Sequence, residues 1–349
     1  MDFAKRICNL AAIPGITGDE FRIAEAAADC MRKYLSNVSI DSFGNVVGWK
    51  YSTKENAPTI LLDAHIDQIG YMINEIDETG FLHFIAMGVD QRTMLGSKVR
   101  VLTEQGHLDG VICSIPPQLQ KAEDKFSVPA EDTMVVDIGL SGEAARSQVR
   151  VGDYMVYAEE TEALSDKIIC GKALDDRACL VSILYAMELL DEEDLDCNIA
   201  VVASTKEEQG SQGALRAAWR FHPDFAIAVD VCHAHTCDST PADGVHKMTG
   251  GPVIGVGSNS RPRIASHACQ LAERKQIPAQ MMGIPASSGT NAWNMQLSYS
   301  GITTLVVSIP LNYMHTCVEM MHLADIVNTG KLLAKICRNY SEVWQKEVL

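Results

Sequence analysis

The 349-residue sequence has few basic residues and no long apolar run. Its 29 Lys and Arg residues stand against 45 Asp and Glu residues, and no basic cluster is interleaved with aromatic side chains. The formal charge of −16 repels phosphate backbones and anionic lipid surfaces, so we expect neither a nucleic-acid partner nor a membrane partner. The longest apolar runs, 60–64 and 304–309, are far too short to cross a bilayer.

We also expect neither a secretion signal nor a disulfide framework. The N-terminus carries Asp2, Lys5 and Arg6 but has no long apolar stretch of the kind that signal peptides contain. The 11 cysteines are odd in number and scattered, and several, such as Cys179 and Cys337, lie in apolar runs. Buried thiols of this kind are typical of a reducing compartment, so we predict a cytoplasmic protein.

The sequence has no internal repeat, low-complexity tract or glycine-rich phosphate loop, and 250–252 (GGP) is only a weak turn signal. What it does have is a hydrophobic content of 47%, enough for one large core and a second domain. This composition is typical of a globular protein and not of a fibrous or disordered one.

Helical and strand patterns alternate in two separate parts of the chain. Predicted helices cover 21–35, 177–190, 212–221 and 323–340, and predicted strands cover 46–49, 59–62, 198–204 and 225–229. Such alternation is typical of an α/β fold with a mostly parallel or mixed sheet sandwiched by helices.

The segment between these parts has a different pattern. Short β-rich stretches at 81–85, 98–102 and 154–157 are separated by Gly, Asp and Pro turns, and no long helix is evident. We predict that 71–162 forms an inserted all-β domain, a small barrel, and that 1–70 and 163–349 form one discontinuous α/β domain.

Carboxylates and histidines stand where predicted strands or helices meet loops. In open α/β sheets, functional groups collect beyond the carboxyl ends of the strands, so residues that are distant in sequence can share one cleft. Imidazoles mixed with carboxylates suit a pair of catalytic divalent metals that must leave room for water or substrate. The pattern predicts a two-metal hydrolase, and its candidate residues are His65, Asp67, Asp175, Asp176, Glu207, Glu208, Asp230 and His315.

Taken singly, each of these motifs has a simpler explanation. An Asp pair before a helix, at 175–176, can cap it, adjacent glutamates at 207–208 usually form a solvated face, and His315 resembles an ordinary loop histidine. An acid such as Asp230 at the close of a buried strand is harder to explain by packing. The metal hypothesis therefore rests on the candidate residues taken together.

The residue types also suggest a division of labour. Alternate strand residues share a face, so Asp67 can orient the imidazole of His65. One acid at 175–176 can span both ions through its two oxygens. One glutamate at 207–208 can bind metal while its neighbour takes a proton, because partial burial beside a second carboxylate raises the pKa of such a base.

Other interpretations remain open at this stage. The segment Cys232–Cys237 (CHAHTC) contains thiols and imidazoles, but its spacing lacks the paired separations of structural zinc sites. Glycoside hydrolysis by two carboxylates needs no metal and leaves His65 and His315 unexplained. A catalytically silent assembly protein is a third alternative, which the intact candidate ligands disfavour.

Ordered motifs along nearly the whole chain resemble one enzyme family, the tetrahedral-type metallo-aminopeptidases of metallopeptidase family forty-two. This family includes glutamyl, leucyl and lysyl aminopeptidases and proteins labelled as endoglucanases. The motifs are IPGITG (13–18), HIDQIG (65–70), GKALDDR (171–177), EEQG (207–210), DVCHA (230–234), GGP (250–252), SGTNA (288–292) and HTCVEM (315–320).

The resemblance implies a zinc-exopeptidase-like fold and a role for each candidate ligand. One metal would be held by His65 and Asp230 and the other by Glu208 and His315, with Asp175 bridging the two. Ligands of this type accept zinc, which is expected first, and also cobalt or manganese.

The resemblance also implies the activity and the partners. Glu207 would be the general base and Asp67 would orient a metal ligand in an aminopeptidase that removes N-terminal residues from short peptides. The inserted β domain would mediate dimerisation, and the dimers would build a homo-oligomer, possibly a tetrahedral dodecamer. The sequence departs from the family at Gln68, Asn291 and Asn312, where Glu, Asp and Arg are frequent, so we expect substrate recognition to differ.

Overall fold

The structure, a computed structural model, describes residues 1–116, 118–120, 127–240 and 243–344. The chain forms two compact units. The first comprises Met1–Asp67, Thr161–Met314 and Glu319–Leu349, and the second comprises Gln68–Glu160 and His315–Val318.

The first unit contains an eleven-stranded mixed sheet. With strands numbered in chain order, they are β1 (Ser36–Ile40), β2 (Val46–Lys50), β3 (Thr59–His65), β10 (Glu162–Ala163), β11 (Ile168–Gly171), β12 (Asn198–Ser204), β13 (Phe225–His233), β14 (Val253–Gly257), β15 (Gln280–Ile284), β16 (Thr303–Asn312) and β17 (Glu319–His322).

The centre of this sheet is parallel and its edges are antiparallel. Strands β12, β3, β13 and β16 are consecutive parallel neighbours. On one side β2 and β1 continue the sheet, and on the other β17, β11 and β10 do so, all by antiparallel pairing. Strand β14 pairs antiparallel with β16 and parallel with the edge strand β15. Of the two predicted alternatives, a mostly parallel or a mixed sheet, the mixed sheet is confirmed.

Helices cover both faces of the sheet because its central strands are apolar on both sides. On one face Ile60, Leu62 and Ala64 of β3 join the main core, and on the other Leu61 packs with the alanines of α5. The helices of this unit are α1 (Phe3–Ala11), α2 (Phe21–Met31), α4 (Leu174–Leu189), α5 (Gln212–Phe221), α6 (Pro262–Arg274), α7 (Ala292–Met295) and α8 (Leu323–Arg338).

The second unit is a closed antiparallel barrel, which confirms the predicted all-β insertion. Its strand order is β4-β5-β8-β7-β6-β9, and its core contains residues such as Tyr71, Val101 and Met155. One short helix, α3 (Gly142–Gln148), accompanies the barrel. The strands are β4 (Gly70–Ile76), β5 (Leu82–Met87), β6 (Lys98–Thr103), β7 (Gly106–Cys113), β8 (Val135–Asp137) and β9 (Tyr154–Tyr157).

Three element boundaries near the candidate site differ from expectation. Strand β3 continues past Leu62 to His65, so His65 is its last residue. Strand β13 continues past Val229 to His233, because its backbone pairs with β16 as far as Leu311, so Asp230 lies inside a strand and not after it. At the start of α4, Asp175 and Asp176 have non-helical dihedral angles and a cis peptide bond between them.

Among the helices that the structure describes, none is long and apolar enough to span a membrane.

Candidate active site

The register of three parallel strands brings the candidate residues to one edge of the sheet. His65, the last residue of β3, is level with Ser204, the last residue of β12. Because Ala228 of β13 is level with Asp63 of β3, Asp230 reaches the same level as His65. Glu207 follows three residues after Ser204, so the sheet delivers an imidazole and two acids to one place.

Three predicted metal ligands converge in the first unit. The ligand atoms of His65, Asp175 and Asp230 lie within 4.8 Å of one another, and all three residues are buried. His65 Nε2 is 3.1 Å from Asp175 Oδ1. Asp175 also comes within 4.8 Å of the Glu208 carboxylate. Asp175 is therefore close to both of the acids, Asp230 and Glu208, that were predicted to bind different ions.

His315 belongs to the stretch His315–Val318, which clusters with the second unit. It has a positive φ of 64° and is partly buried. Its role as a ligand remains a prediction from the sequence motif.

Asp67 connects the end of β3 to the turn after β12. Its carboxylate accepts the Thr17 hydroxyl at 2.7 Å and the backbone N–H groups of Glu207 and Glu208 at 3.1 and 3.2 Å. His65 Nδ1 lies 3.1 Å from the Asp67 main-chain carbonyl and 3.4 Å from its carboxylate. Burial alone would raise the pKa of Asp67, but the hydrogen bonds from His65, Thr17 and the Glu207 amide lower it. The carboxylate is thus a fixed anion that orients three neighbours.

Glu207 has the properties expected of a base. Its side chain is only partly buried, and the Ser211 hydroxyl donates to Oε1 at 3.3 Å. Burial raises the pKa of Glu207, His65 opposes this rise, and the charges of Asp67 and Asp175 add to it. A carboxyl with a raised pKa is better matched to proton transfer near neutral pH than an ordinary glutamate is.

The entry to α4 is held by a residue for which the sequence analysis assigned no role. Glu319 Oε2, on β17, accepts the backbone N–H groups of Leu174 and Asp175 at 2.8 and 3.2 Å. Asp176 Oδ2 accepts the His65 backbone N–H at 3.1 Å. Glu319 lies inside the motif 315–320, but a contact with residues 145 and 144 positions away leaves no local sequence signal.

Arg177 also holds this region in place through hydrogen bonds to the backbone. Its fully buried guanidinium donates to the carbonyls of Leu10, Ile13 and Ile66 at 2.7, 2.6 and 3.2 Å. Burial lowers the pKa of Arg177 to about 9, and the charges of Asp67 and Glu319 oppose the decrease. The arginine therefore ties the loop between His65 and Asp67 to the end of α1.

Asn291, a departure from the family pattern, lies against an acid that the sequence analysis did not single out. Its Nδ2 donates to Asp63 Oδ2 at 2.6 Å and to Ser204 Oγ at 3.0 Å. Burial raises the pKa of Asp63 to about 7, against the hydrogen bonds from Ser204 and Asn291. A carboxyl group is therefore still present beside position 291, supplied by β3 and not by the loop.

The thiols and imidazoles of the competing segment, Cys232–Cys237, do not share one environment. Cys232 is buried on β13, whereas His233, His235 and Cys237 are exposed. Within the ranges that the structure describes, the groups with metal-ligand geometry are the two sets that share Asp175, and this segment contributes to neither.

The donor set around Asp175 fits a divalent cation. It offers one imidazole nitrogen and several carboxylate oxygens in a buried place, where uncompensated negative charge is costly. Burial, together with repulsion from Glu207 and Asp175, holds the pKa of Asp230 well above its usual range, although His65 opposes this. A cation among these acids would remove that repulsion.

Comparison with known proteins assigns most of the chain to an aminopeptidase family. A family model described as M42 glutamyl aminopeptidase matches residues 44–332. The lysyl aminopeptidase of Pyrococcus furiosus is 36% identical over 327 residues, covering 91% of this chain and 92% of the relative.

Solved structures are similar over nearly the full length. Aminopeptidase APDkam598 from Desulfurococcus kamchatkensis has a TM-score of 0.90 and 31% identity, covering 97% of this chain and 94% of the other. The TET1 peptidase of Pyrococcus horikoshii has a TM-score of 0.84 and 30% identity, covering 96% and 99%. The chain is therefore a peptide hydrolase with the aminopeptidase function of its relatives, and it belongs to the M42 glutamyl aminopeptidase family of divalent-metal peptidases.

Proposed function

We propose that the chain is a two-metal aminopeptidase that removes N-terminal residues from short peptides. The observation that carries this proposal is the convergence of His65, Asp175 and Asp230 within 4.8 Å, with Glu208 equally close to Asp175. Carboxylates and imidazole in one buried cluster are suited to cations that also bind substrate.

In this proposal, His65 and Asp230 hold one ion and Glu208 and His315 hold the other. Asp175 is shared because it is the member common to both neighbourhoods. When bound, the two ions polarise the scissile carbonyl and lower the pKa of water. Zinc is the expected metal, and cobalt or manganese would suit the same ligands.

Glu207 accepts a proton from the attacking water and then delivers it to the leaving amine. Its partial burial and raised pKa support this role, and its backbone is anchored by the bond to Asp67. Asp67 keeps the imidazole of His65 in one orientation through Nδ1, which leaves Nε2 as the ligand atom. The surrounding carboxylates can pair with the free α-amino group that distinguishes an exopeptidase substrate.

The proposed assembly is a homo-oligomer of dimers, with the barrel unit as the dimerisation element and a tetrahedral dodecamer as the expected form. The TET1 peptidase of Pyrococcus horikoshii is described as assembling into a tetrahedron or a large octahedral shell. The proposed location is the cytoplasm, which agrees with the eleven scattered cysteines of the sequence.

The test is hydrolysis of a panel of aminoacyl-p-nitroanilides before chelation, after chelation, and after addition of zinc, cobalt or manganese. We expect chelation to abolish turnover and one metal to restore it. Turnover that survives complete metal removal would contradict the proposal.

The same assay separates the alternative activity. A glycosidase that uses two carboxylates would cleave aryl glycosides and would keep its activity after chelation. The buried imidazole among the acids favours the peptidase, because a two-carboxylate mechanism gives His65 no role.

A further inference from the structure

The first unit carries an exposed cluster of large apolar side chains, which we call the aromatic patch. The rings of Trp219 and Tyr299 lie 4.5 Å apart between centroids, and the His222 ring lies 3.3 Å from that of Tyr299. Trp219, Tyr299 and Leu297 are 57%, 54% and 65% exposed. The patch consists of Leu215, Trp219, His222, Leu297 and Tyr299.

The patch follows from how α5 and the turn after α7 pack. Helix α5 buries Ala214, Ala217 and Ala218 against the sheet, so Leu215 and Trp219, four residues apart, share a face that points away from it. The Ser298 hydroxyl donates to the Leu215 carbonyl at 3.4 Å and holds the turn beside the helix. Ordered apolar side chains from two elements thus form one surface that is left in contact with water.

The charges around the patch differ from those of the whole chain. Residues 285–312 contain no Asp, Glu, Lys or Arg, and residues 209–223 contain no acid but two arginines, Arg216 and Arg220. The chain as a whole has 45 acidic residues and a net charge of −16. Arg220 lies 4.0 Å from the Asp41 carboxylate of the same chain. Segments without acidic residues can approach another acidic copy with less repulsion, and exposed arginines beside them can pair with acids on that copy.

We propose that a second copy of this chain covers the aromatic patch, as the contact that joins dimers into the larger assembly. This inference rests on the proposed homo-oligomer. A closed shell of dimers needs two different contacts, one within each dimer and one between dimers. If the barrel unit supplies the contact within each dimer, the contact between dimers must come from another surface of the chain. Exposed aromatic residues with arginine neighbours are typical of the centres of such interfaces.

The experiment measures the mass of the full chain by native mass spectrometry and sedimentation velocity for the wild type, Trp219→Glu, Tyr299→Glu and Leu297→Glu. Phe21→Glu is the matched control, because Phe21 is also an exposed aromatic residue, at 64%, and lies on α2. We expect the wild type and the control to form an assembly larger than a dimer. Each patch variant should dissociate to dimers while it keeps the far-ultraviolet circular dichroism spectrum of the wild type.

The outcomes separate the two proposals. If the wild type assembles beyond a dimer and all three patch variants keep that mass, the assembly stands but the patch is not its contact. If the wild type never exceeds a dimer, the assembly is wrong and the patch has no second copy to bind. Leu297→Glu changes a turn residue and not the helix, so a folding defect of Trp219→Glu alone leaves the test intact.

Discussion

The two units of the chain differ in what they bury. In the described part of the barrel unit, no Asp, Glu, His, Lys or Arg side chain is buried, and the core is apolar. The first unit buries His65, Asp67, Asp176, Asp230 and Glu319, among others. Burying charge is costly unless each group has a partner or a cation. The first unit therefore contains buried charges that need compensating partners, and the candidate site lies among them, whereas the described part of the barrel unit contains none.

The same contrast exists within a single strand. Strand β3 places Ile60, Leu62 and Ala64 in the main core, whereas Asp63 and His65 on its other face carry hydrogen bonds. The alternation of side chains along these seven residues therefore places both polar groups on one face, after the packed Leu61, and leaves the other face apolar. Substitutions on the two faces should fail in different ways, one in stability and the other in turnover.

The largest effect that sharpens the comparison is expected at Glu319. Glu319→Ala removes the acceptor of the Leu174 and Asp175 amides, so the Asp175 carboxylate loses its fixed position. We expect metal affinity to fall by about 10- to 100-fold, as for other groups that orient ligands. Metal competition titration with a chromogenic chelator measures this. Glu162→Ala, an exposed glutamate on β10, is the control, and equal affinities in both variants would refute the positioning role.

An effect of similar size, but on stability and not on metal binding, is expected from the Asp63 and Asn291 pair. Asn291→Asp places two carboxyl groups where an amide donates at 2.6 Å, and we expect it to lower the free energy of unfolding by about 1–3 kcal/mol. Adding Asp63→Asn should restore most of this loss, because the hydrogen bond is then re-formed with the groups exchanged. Urea unfolding of the two single variants and the double variant measures the coupling. Strictly additive effects would show that the pair does not interact.

The smallest effect is expected in the barrel, at the turn between β4 and β5. The Asp77 carboxylate accepts the hydroxyl and the amide of Thr79 and the amides of Gly80 and Phe81. These hydrogen bonds, that of the hydroxyl first, lower the pKa of Asp77. A lowered pKa in the folded state stabilises the turn above the unfolded pKa of about 3.9, and this stabilisation is lost as pH falls through the lower folded value.

Hydrogen exchange of the β4 and β5 amides at several pH values tests this turn. Wild-type protection should weaken as pH falls below about 4, and Asp77→Asn should weaken it at neutral pH and remove much of the pH dependence. Asp109→Asn, an exposed acid on β7 of the same barrel, should behave as the wild type does. If Asp77→Asn leaves the protection of these amides unchanged at every pH value, the role of these hydrogen bonds is contradicted.

The sequence predicted the fold well because periodicity and turn signals are local. Strand β12 and helix α5 begin and end at the predicted residues, and the barrel was recognised from short strands between turns. The end of β13 was missed because pairing with β16, and not local composition, extends the strand to His233. Long-range pairing of this kind leaves no signal in a window of a few residues.

The convergence of the candidate residues was predictable from the sequence, but the groups that hold them in place were not. His65, Asp175 and Asp230 stand out as polar groups at the ends of apolar segments, and they do converge. Glu319, Arg177 and Asp63 bind backbone or side-chain groups that are many residues away. A single sequence identifies residues of unusual type at a strand end, but not the hydrogen-bond partners that hold them in place.

The most direct test of the account is Glu207→Gln, measured for turnover and for bound metal in the same preparation. Glutamine keeps the shape of the side chain but cannot accept the proton of water. We predict that kcat falls by about 10²- to 10⁴-fold while the metal content equals that of the wild type. Retained turnover with metals bound would contradict the assignment of Glu207 as the base and, with it, the central claim that this buried acid cluster performs the hydrolysis.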